Sequence, residues 1–325
     1  MRKYSISQLA DFELCPWRAL RNRQGYKGVA SHPLMVGSLF HKWAEMANEG
    51  WLSMRAEAMA ALVDAAEEVE ADALALEDCK NIAASWLDAR MVDRRLPVAG
   101  VREWQFGFDL LWRLVGFDGA ATRIRGAVDY HEIQGRQALV LDYKTGHLIP
   151  NPIKWDQLMF YAFAVAEAHP EVQRFTLVYD FARTGWQPSI TVSREDLQVV
   201  PAQLQKQMQR ADKMLDSYLE TGHMEARVNQ FCGHCAHRTT CPVLNEIMGL
   251  RSVNPTLLPA ACVKDAEATA ATIKLLTAAL EDTKAVMKQW TTEDGPVKGQ
   301  EGKQWETRTH QRDGRPIQTL REYKV

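Results

Sequence analysis

The run from Gln137 to Gly146, QALVLDYKTG, is apolar from Ala138 through Leu141, then alternates polar and apolar side chains, and is closed by Thr-Gly. That pattern predicts a buried strand ending in a turn. Side chains alternate along a strand, so Asp142 and Lys144 face one way and Leu141 and Tyr143 the other. Residues 125–133 read as a second strand. Gly135 and Arg136 between the two suit a two-residue type II′ turn, which takes Gly at its first central position. Such a turn pairs 134 with 137 and 133 with 138, and counting outward brings Asp129 opposite Asp142.

Elsewhere the pattern is helical before residue 100 and mixed after it. Ser5 with Gln8 forms a capping box opening a short helix, which Cys15-Pro16-Trp17 ends. Residues 37–45 have helical spacing that sets Gly37, His41 and Glu45 on one face. Residues 53–95, rich in Ala and charge, read as one long helix or two, with an acidic stripe as the solvated face. Strands follow at 101–108 and 110–117, where Glu103 reads as a surface glutamate, approach to the site being the alternative. A loop at 147–151 leads into a helix from near Pro152 to about His169, on which Gln157 and Tyr161 share a face. Strands at 174–181 and 186–192 precede a helix over 195–221, bent at Pro201. Further on, 265–290 reads as a helix and 303–309 with 317–323 as a hairpin.

Two bare carboxylates directly opposite across a strand pair have Cβ atoms about 4.5–5.5 Å apart. At about 5 Å they repel by roughly 3 kcal/mol at an effective dielectric near 20. A shared proton or a cation resolves this, and a hard divalent ion such as Mg²⁺ fits a carboxylate pair best. The alternative is a surface hairpin with two solvated aspartates and Lys144 as an ion-pair partner.

The remaining chemistry lies in cysteine spacing. Cys232, Cys235 and Cys241 stand at metal-ligand spacing, and the chain holds six cysteines. Zinc needs a fourth ligand, from His234 or His237. An iron–sulfur cluster needs four thiolates, with Cys15 as the distant fourth. Cys79 and Cys262 read as unligated thiols. At 325 residues the chain has room for about two domains. We divide it into 1–251 and a C-terminal appendage, 252–325. The longest nearly apolar run, 158–166, is too short to cross a bilayer. The N-terminus has no apolar signal core, so the expectation is a cytoplasmic protein with no membrane contact. A net charge of −2 leaves any nucleic-acid contact to a local groove. Residues 1–30 are locally basic, and Trp17 among its arginines reads either as core or as a base-stacking ring.

Taken in order, Gly37-x-x-x-His41, Gly126-x-x-Asp129, Asp142-x-Lys144-Thr-Gly146 and Gln157-x-x-x-Tyr161 resemble the PD-(D/E)XK nuclease superfamily, most of all its RecB-type branch. One early cysteine and three after the core resemble the AddB-type and CRISPR-adaptation nucleases, which carry a [4Fe–4S] cluster. The likeness covers residues 4–243, and the C-terminal part has no counterpart. It implies an α/β fold: a central mixed β-sheet flanked by helices (a restriction-endonuclease-like core), with a helical N-terminal part, a four-cysteine metal-cluster region and a helix-plus-hairpin appendage. It implies a divalent-metal-dependent DNA exonuclease acting on ends or single strands in recombination or repair, with a helicase or single-strand annealing partner. A non-cleaving DNA-binding or scaffold subunit of the same fold is the alternative. By the same likeness, His41, Asp129, Asp142 and the Tyr143 carbonyl hold Mg²⁺ or Mn²⁺, and Lys144 orients the attacking water. Gln157 and Tyr161 steady the site, and Cys15, Cys232, Cys235 and Cys241 hold the cluster.

Overall fold

The structure is a computed structural model. It describes residues 2–26, 32–47, 51, 55–93, 99–146, 153–229, 232, 235–237, 240–244 and 246, then 277, 280–281, 284–285, 287–288, 291–292, 295–298, 303–312 and 315–324. The chain divides into two compact units, Met1–Glu225 and Ala226–Val325.

The first unit opens with β1 (Tyr4–Ser5) and α1 (Ile6–Leu14). Ser5 Oγ accepts from Gln8 N at 3.3 Å while Gln8 Oε1 accepts from Ser5 N at 3.1 Å, so the capping box is complete. Cys15 ends α1 and starts α2 (Pro16–Arg23) at once. Proline that stops one helix has no amide to lose in the first turn of the next. Then come α3 (His32–Glu45), α4 (Arg55–Glu68) and α5 (Ala73–Asp93). The 53–95 stretch is thus two helices. Glu70 breaks it with φ +53°, and the Asp72 carboxylate caps the second by accepting from Ala75 N at 2.7 Å.

The strands are β2 (Val101–Phe108), β3 (Leu114–Val115), β4 (Ile124–Gln134) and β5 (Gln137–Lys144), then α6 (Asp156–Ala168), β6 (Arg174–Phe181), β7 (Ser189–Ser193) and α7 (Val200–Thr221). Among the described residues they form a seven-stranded mixed sheet in the order β3-β2-β4-β5-β6-β7, with β1 added parallel to β4. The 110–117 strand shrinks to β3 because Asp109 Oδ1 captures the amides of Leu111 (2.8 Å) and Arg113 (3.0 Å), making a turn where a ladder was expected. Pro201 lies in the first turn of α7 after a short 3-10 turn, where it starts the helix and does not bend it.

Helices cover both faces of the sheet. One core joins Val128, Val140, Phe175, Leu177 and Tyr179 to α1, α6 and α7. The other joins Tyr130, Leu141, Tyr143 and Val178 to α3, α4 and α5. This is the expected α/β core, a mixed sheet flanked by helices.

In the second unit β8 (Val297–Lys298), β9 (Lys303–Arg312) and β10 (Arg315–Lys324) form an antiparallel sheet, with β9 and β10 longer than the expected strands. His234, Cys262 and the loop after Gly146 lie outside the described residues, as do most of the expected helix over 265–290 and Pro152.

Candidate metal centre and its lysine

The β4–β5 hairpin turns where the pattern put it: Gln134 pairs with Gln137, and Gly135 has φ +59°. The ladder runs to Tyr130↔Leu141 and stops, although both strands continue. From there β4 and β5 part. Asp129, next in register opposite Asp142, fills the opening with its side chain, Oδ2 accepting from Tyr143 N at 2.8 Å. Further along, β1 takes the edge of β4 that β5 has left, pairing Tyr4 with Ile124. The two carboxylates therefore sit in the cleft of a splayed pair, Asp142 only 2% exposed and Asp129 7%.

The α6 side of the cleft is tightly hydrogen-bonded. Gln157 Nε2 donates to Asp142 Oδ1 at 2.9 Å and to Tyr161 Oη at 2.8 Å, and Gln157 Oε1 accepts from Lys144 Nζ at 3.1 Å. Lys144 Nζ lies 2.5 Å from Asp142 Oδ2, as a charge partner without an aligned hydrogen bond to that buried oxygen. Gly126 on β4 permits this approach of α6. A Cβ there would meet Phe106 Cζ at 2.8 Å and Tyr161 Cε1 at 3.1 Å.

The α3 side is different. His41 Nδ1 lies 3.4 Å from Asp129 Oδ1 and 3.8 Å from Glu103 Oε1, wider than good hydrogen bonds. These three residues offer ligand atoms that all lie within 4.8 Å of one another. Glu103 read first as a surface glutamate, and the structure favours the alternative, its approach to the site. The β2–β4 register pairs Arg102 with Tyr130 and Trp104 with Val128, so Glu103 lies opposite Asp129 without a ladder pair of its own. Its φ is +47°, a left-handed conformation inside a strand, which costs a non-glycine residue about 1–2 kcal/mol. Regular alternation could not have foretold its aim. The usable signal was register, which sets Glu103, Asp129 and Asp142 in one row across β2, β4 and β5.

Electrostatics follow from this packing. Burial pushes the Asp142 carboxyl up to about 6, with Lys144 opposing and Asp129 adding to the rise. Burial works against a charged His41, but the carboxylates of Asp129 and Glu103 outweigh it and raise the imidazole to about 10. The Tyr143 ring packs edge-on against Phe40, His41 and Trp86, so only its backbone is available to the cleft. Arg183 anchors the end of the β5 run. Its Nε donates to Thr145 O at 2.6 Å and its Nη1 to Asp78 Oδ1 on α5 at 2.8 Å.

The structure thus brings His41, Asp129, Asp142, Lys144, Gln157 and Tyr161 to one cleft. Cys15 is buried at the α1–α2 junction of the first unit. Cys232, Cys235 and Cys241 belong to the second. There Cys232 Sγ accepts from Asn229 N at 3.2 Å, Cys235 N donates to Cys232 O at 3.2 Å, and Cys232 and Cys241 pack on Leu244. Trp17 sits against the core, half-buried. No helix among the described residues is long and apolar enough to cross a membrane.

The sequence profile described as the PD-(D/E)XK nuclease superfamily matches residues 3–242 of this chain. Among solved structures, one titled "Crystal structure of SSO0001" is similar at 13% identity and a TM-score of 0.35, over 75% of this chain and 87% of that one. No curated protein matches.

Proposed function

Because the chain belongs to the PD-(D/E)XK nuclease superfamily, we propose that it is a divalent-metal-dependent DNA exonuclease acting on ends or single strands. The observation that carries this reading is the convergence of His41, Glu103 and Asp129 ligand atoms beside the Asp142–Lys144 pair. Membership in the family implies a metal-dependent nuclease, and the donor set fits a hard cation. It offers carboxylate oxygens and one imidazole, held at the loose ion-pair spacings of 3.4 and 3.8 Å. It also holds a buried Asp142 oxygen without an aligned donor.

Asp129, Asp142, His41 and Glu103, with the Tyr143 carbonyl, would hold Mg²⁺ or Mn²⁺. When bound, such an ion polarises the scissile phosphate and lowers the pKa of water. The chain's own groups do the rest. Gln157 fixes both Asp142 and Lys144, so the lysine ammonium is presented on a rigid arm to the attacking water and the developing negative charge. Tyr161 holds Gln157 from the other side, and burial raises its phenol well above the usual range, so it stays protonated. His41 must lose its proton to ligate.

The four thiols Cys15, Cys232, Cys235 and Cys241 would hold a [4Fe–4S] cluster with a structural role. A backbone amide aimed at the Cys232 sulfur suits a thiolate. Iron and zinc analysis of protein purified without air tests it. Four irons per chain are expected, and one zinc with no iron would assign the three clustered cysteines and a histidine instead. A cytoplasmic role in recombination or repair, with a helicase or annealing partner, completes the proposal. The direct test is digestion of end-labelled and circular DNA with Mg²⁺. Loss of end label from linear DNA, with circular DNA left intact, supports an exonuclease. Absence of cleavage with either metal favours the non-cleaving subunit.

A further inference from the structure

A row of four aromatic rings leads from the lysine to solvent. Trp155 stacks on Tyr179 with centroids 5.2 Å apart at 29°, Tyr179 lies 6.3 Å from Phe181, and Phe181 stacks on Trp186 at 5.4 Å and 24°. The two middle rings are buried, whereas Trp186 is 45% exposed. The row is bound to the cleft by register: Asp142 pairs with Tyr179 and Lys144 with Phe181 across β5 and β6. Lys144 Nζ stands 5.3 Å from the Tyr179 ring centroid.

Trp186 is held in place by its turn. Phe181 N donates to Trp186 O at 3.0 Å and Gly185 N to Phe181 O at 2.9 Å, with Gly185 at φ +66°. One face of the indole is covered by Phe181 and the residue is still nearly half exposed, which is the presentation of a stacking surface. Singly exposed apolar residues are common and mean little alone. This one continues a ring row that starts beside the lysine. Its backbone lies two strand spacings, about 10 Å, from that of Lys144, the rise of about three stacked nucleotides.

We propose that Trp186, backed by the buried rings of this row, is a base-stacking step that guides single-stranded DNA toward the cleft. The proposal rests on the nuclease reading and gives it a substrate class. Unpaired bases can lie on the indole, whereas the bases of a duplex are already stacked on each other. The net charge of −2 supplies no long-range attraction for a polyanion. Stacking therefore adds an attraction that does not depend on long-range charge.

The test uses the full chain in chelator, so that nothing is cut. Fluorescence anisotropy measures binding of a labelled oligothymidylate and of a blunt duplex of equal length. Trp186→Ala weakens single-strand binding about tenfold, the effect of one lost stacked base, and changes duplex binding by less than about twofold. Trp186→Phe restores most of the loss. Unchanged single-strand binding, or equal losses on both substrates, overturns the platform. Cleavage by the wild type with Mg²⁺ is scored in parallel. Cleavage without any Trp186 effect sinks the platform and leaves the nuclease standing. A selective Trp186 effect in a protein that cuts no DNA keeps the platform and sinks the nuclease.

Discussion

The two sides of the cleft are built on opposite principles. On the α6 side, Asp142, Lys144, Gln157 and Tyr161 satisfy one another through bonds of 2.8–3.1 Å and an ion pair. On the α3 side, His41, Glu103 and Asp129 converge without bonding well, and Glu103 holds a strained backbone to do so. A tight hydrogen-bonded network positions groups, while carboxylates gathered loosely around an imidazole leave room for a ligand. Such a strained arrangement persists where its surroundings over-determine it, as functional sites do.

If the α3 side and Asp142 share a cation, the largest effect comes from removing a charge. Asp142→Ala and Lys144→Ala each lower cleavage by at least about a thousandfold, since transition-state stabilisation by the ion and lysine is worth several kcal/mol. Circular dichroism should show both variants folded. Turnover near the wild-type rate in either would remove the mechanism.

Glu103 separates the two sides more sharply. Glu103→Gln weakens Mn²⁺ binding by about tenfold or more. Glu103→Gly also loses the affinity, yet it raises the melting temperature of the metal-free protein by a few degrees by releasing about 1 kcal/mol of strain. An ordinary surface glutamate would show neither change.

Proton linkage gives the next test. His41, raised to about 10, must be neutral to bind metal. Metal affinity therefore climbs as pH rises from about 6 to 9, and calorimetry in buffers of different ionisation heat should register proton release. For stability the Asp142 shift has the opposite sense to a salt-bridged carboxylate. Its folded pKa of about 6 exceeds the unfolded value of 3.8, so it costs stability above pH 6, and that cost fades as pH falls through the window to 4. Asp142→Asn should accordingly raise the melting temperature in chelator, most above pH 6 and least below 4. Buried His131, lowered to about 4, titrates in the same window but cancels in the difference between variant and wild type.

The smallest effect tests the α6 side. Gly126→Ala forces Phe106 and Tyr161 apart, costing about 1–3 kcal/mol and loosening Gln157, so cleavage should fall by a larger factor than Mn²⁺ affinity. A matching loss of affinity would mean that the two sides are not separable.

This division also marks what was legible in sequence. Strand alternation put Asp142 and Lys144 on one face, helical spacing did the same for Gln157 and Tyr161, and Gly135 set the hairpin register. These are local periodicities that the backbone obeys. Gathering these residues into one site came from the family resemblance. Sequence left Glu103 between a surface position and the site, because its aim depends on one left-handed residue. The splay of β4 from β5 was hidden too, because it arises when Asp129 takes the Tyr143 amide. Likewise Asp109 turned an expected strand into a turn by binding two amides. In each case a side chain competed with the backbone pattern.

The measurement closest to the central claim is a calorimetric titration of Mn²⁺ into the wild-type protein and into Asp129→Asn at pH 8. The account predicts saturable binding with proton release in the wild type, and none in the variant at the same concentrations. Equal binding by both proteins would contradict it.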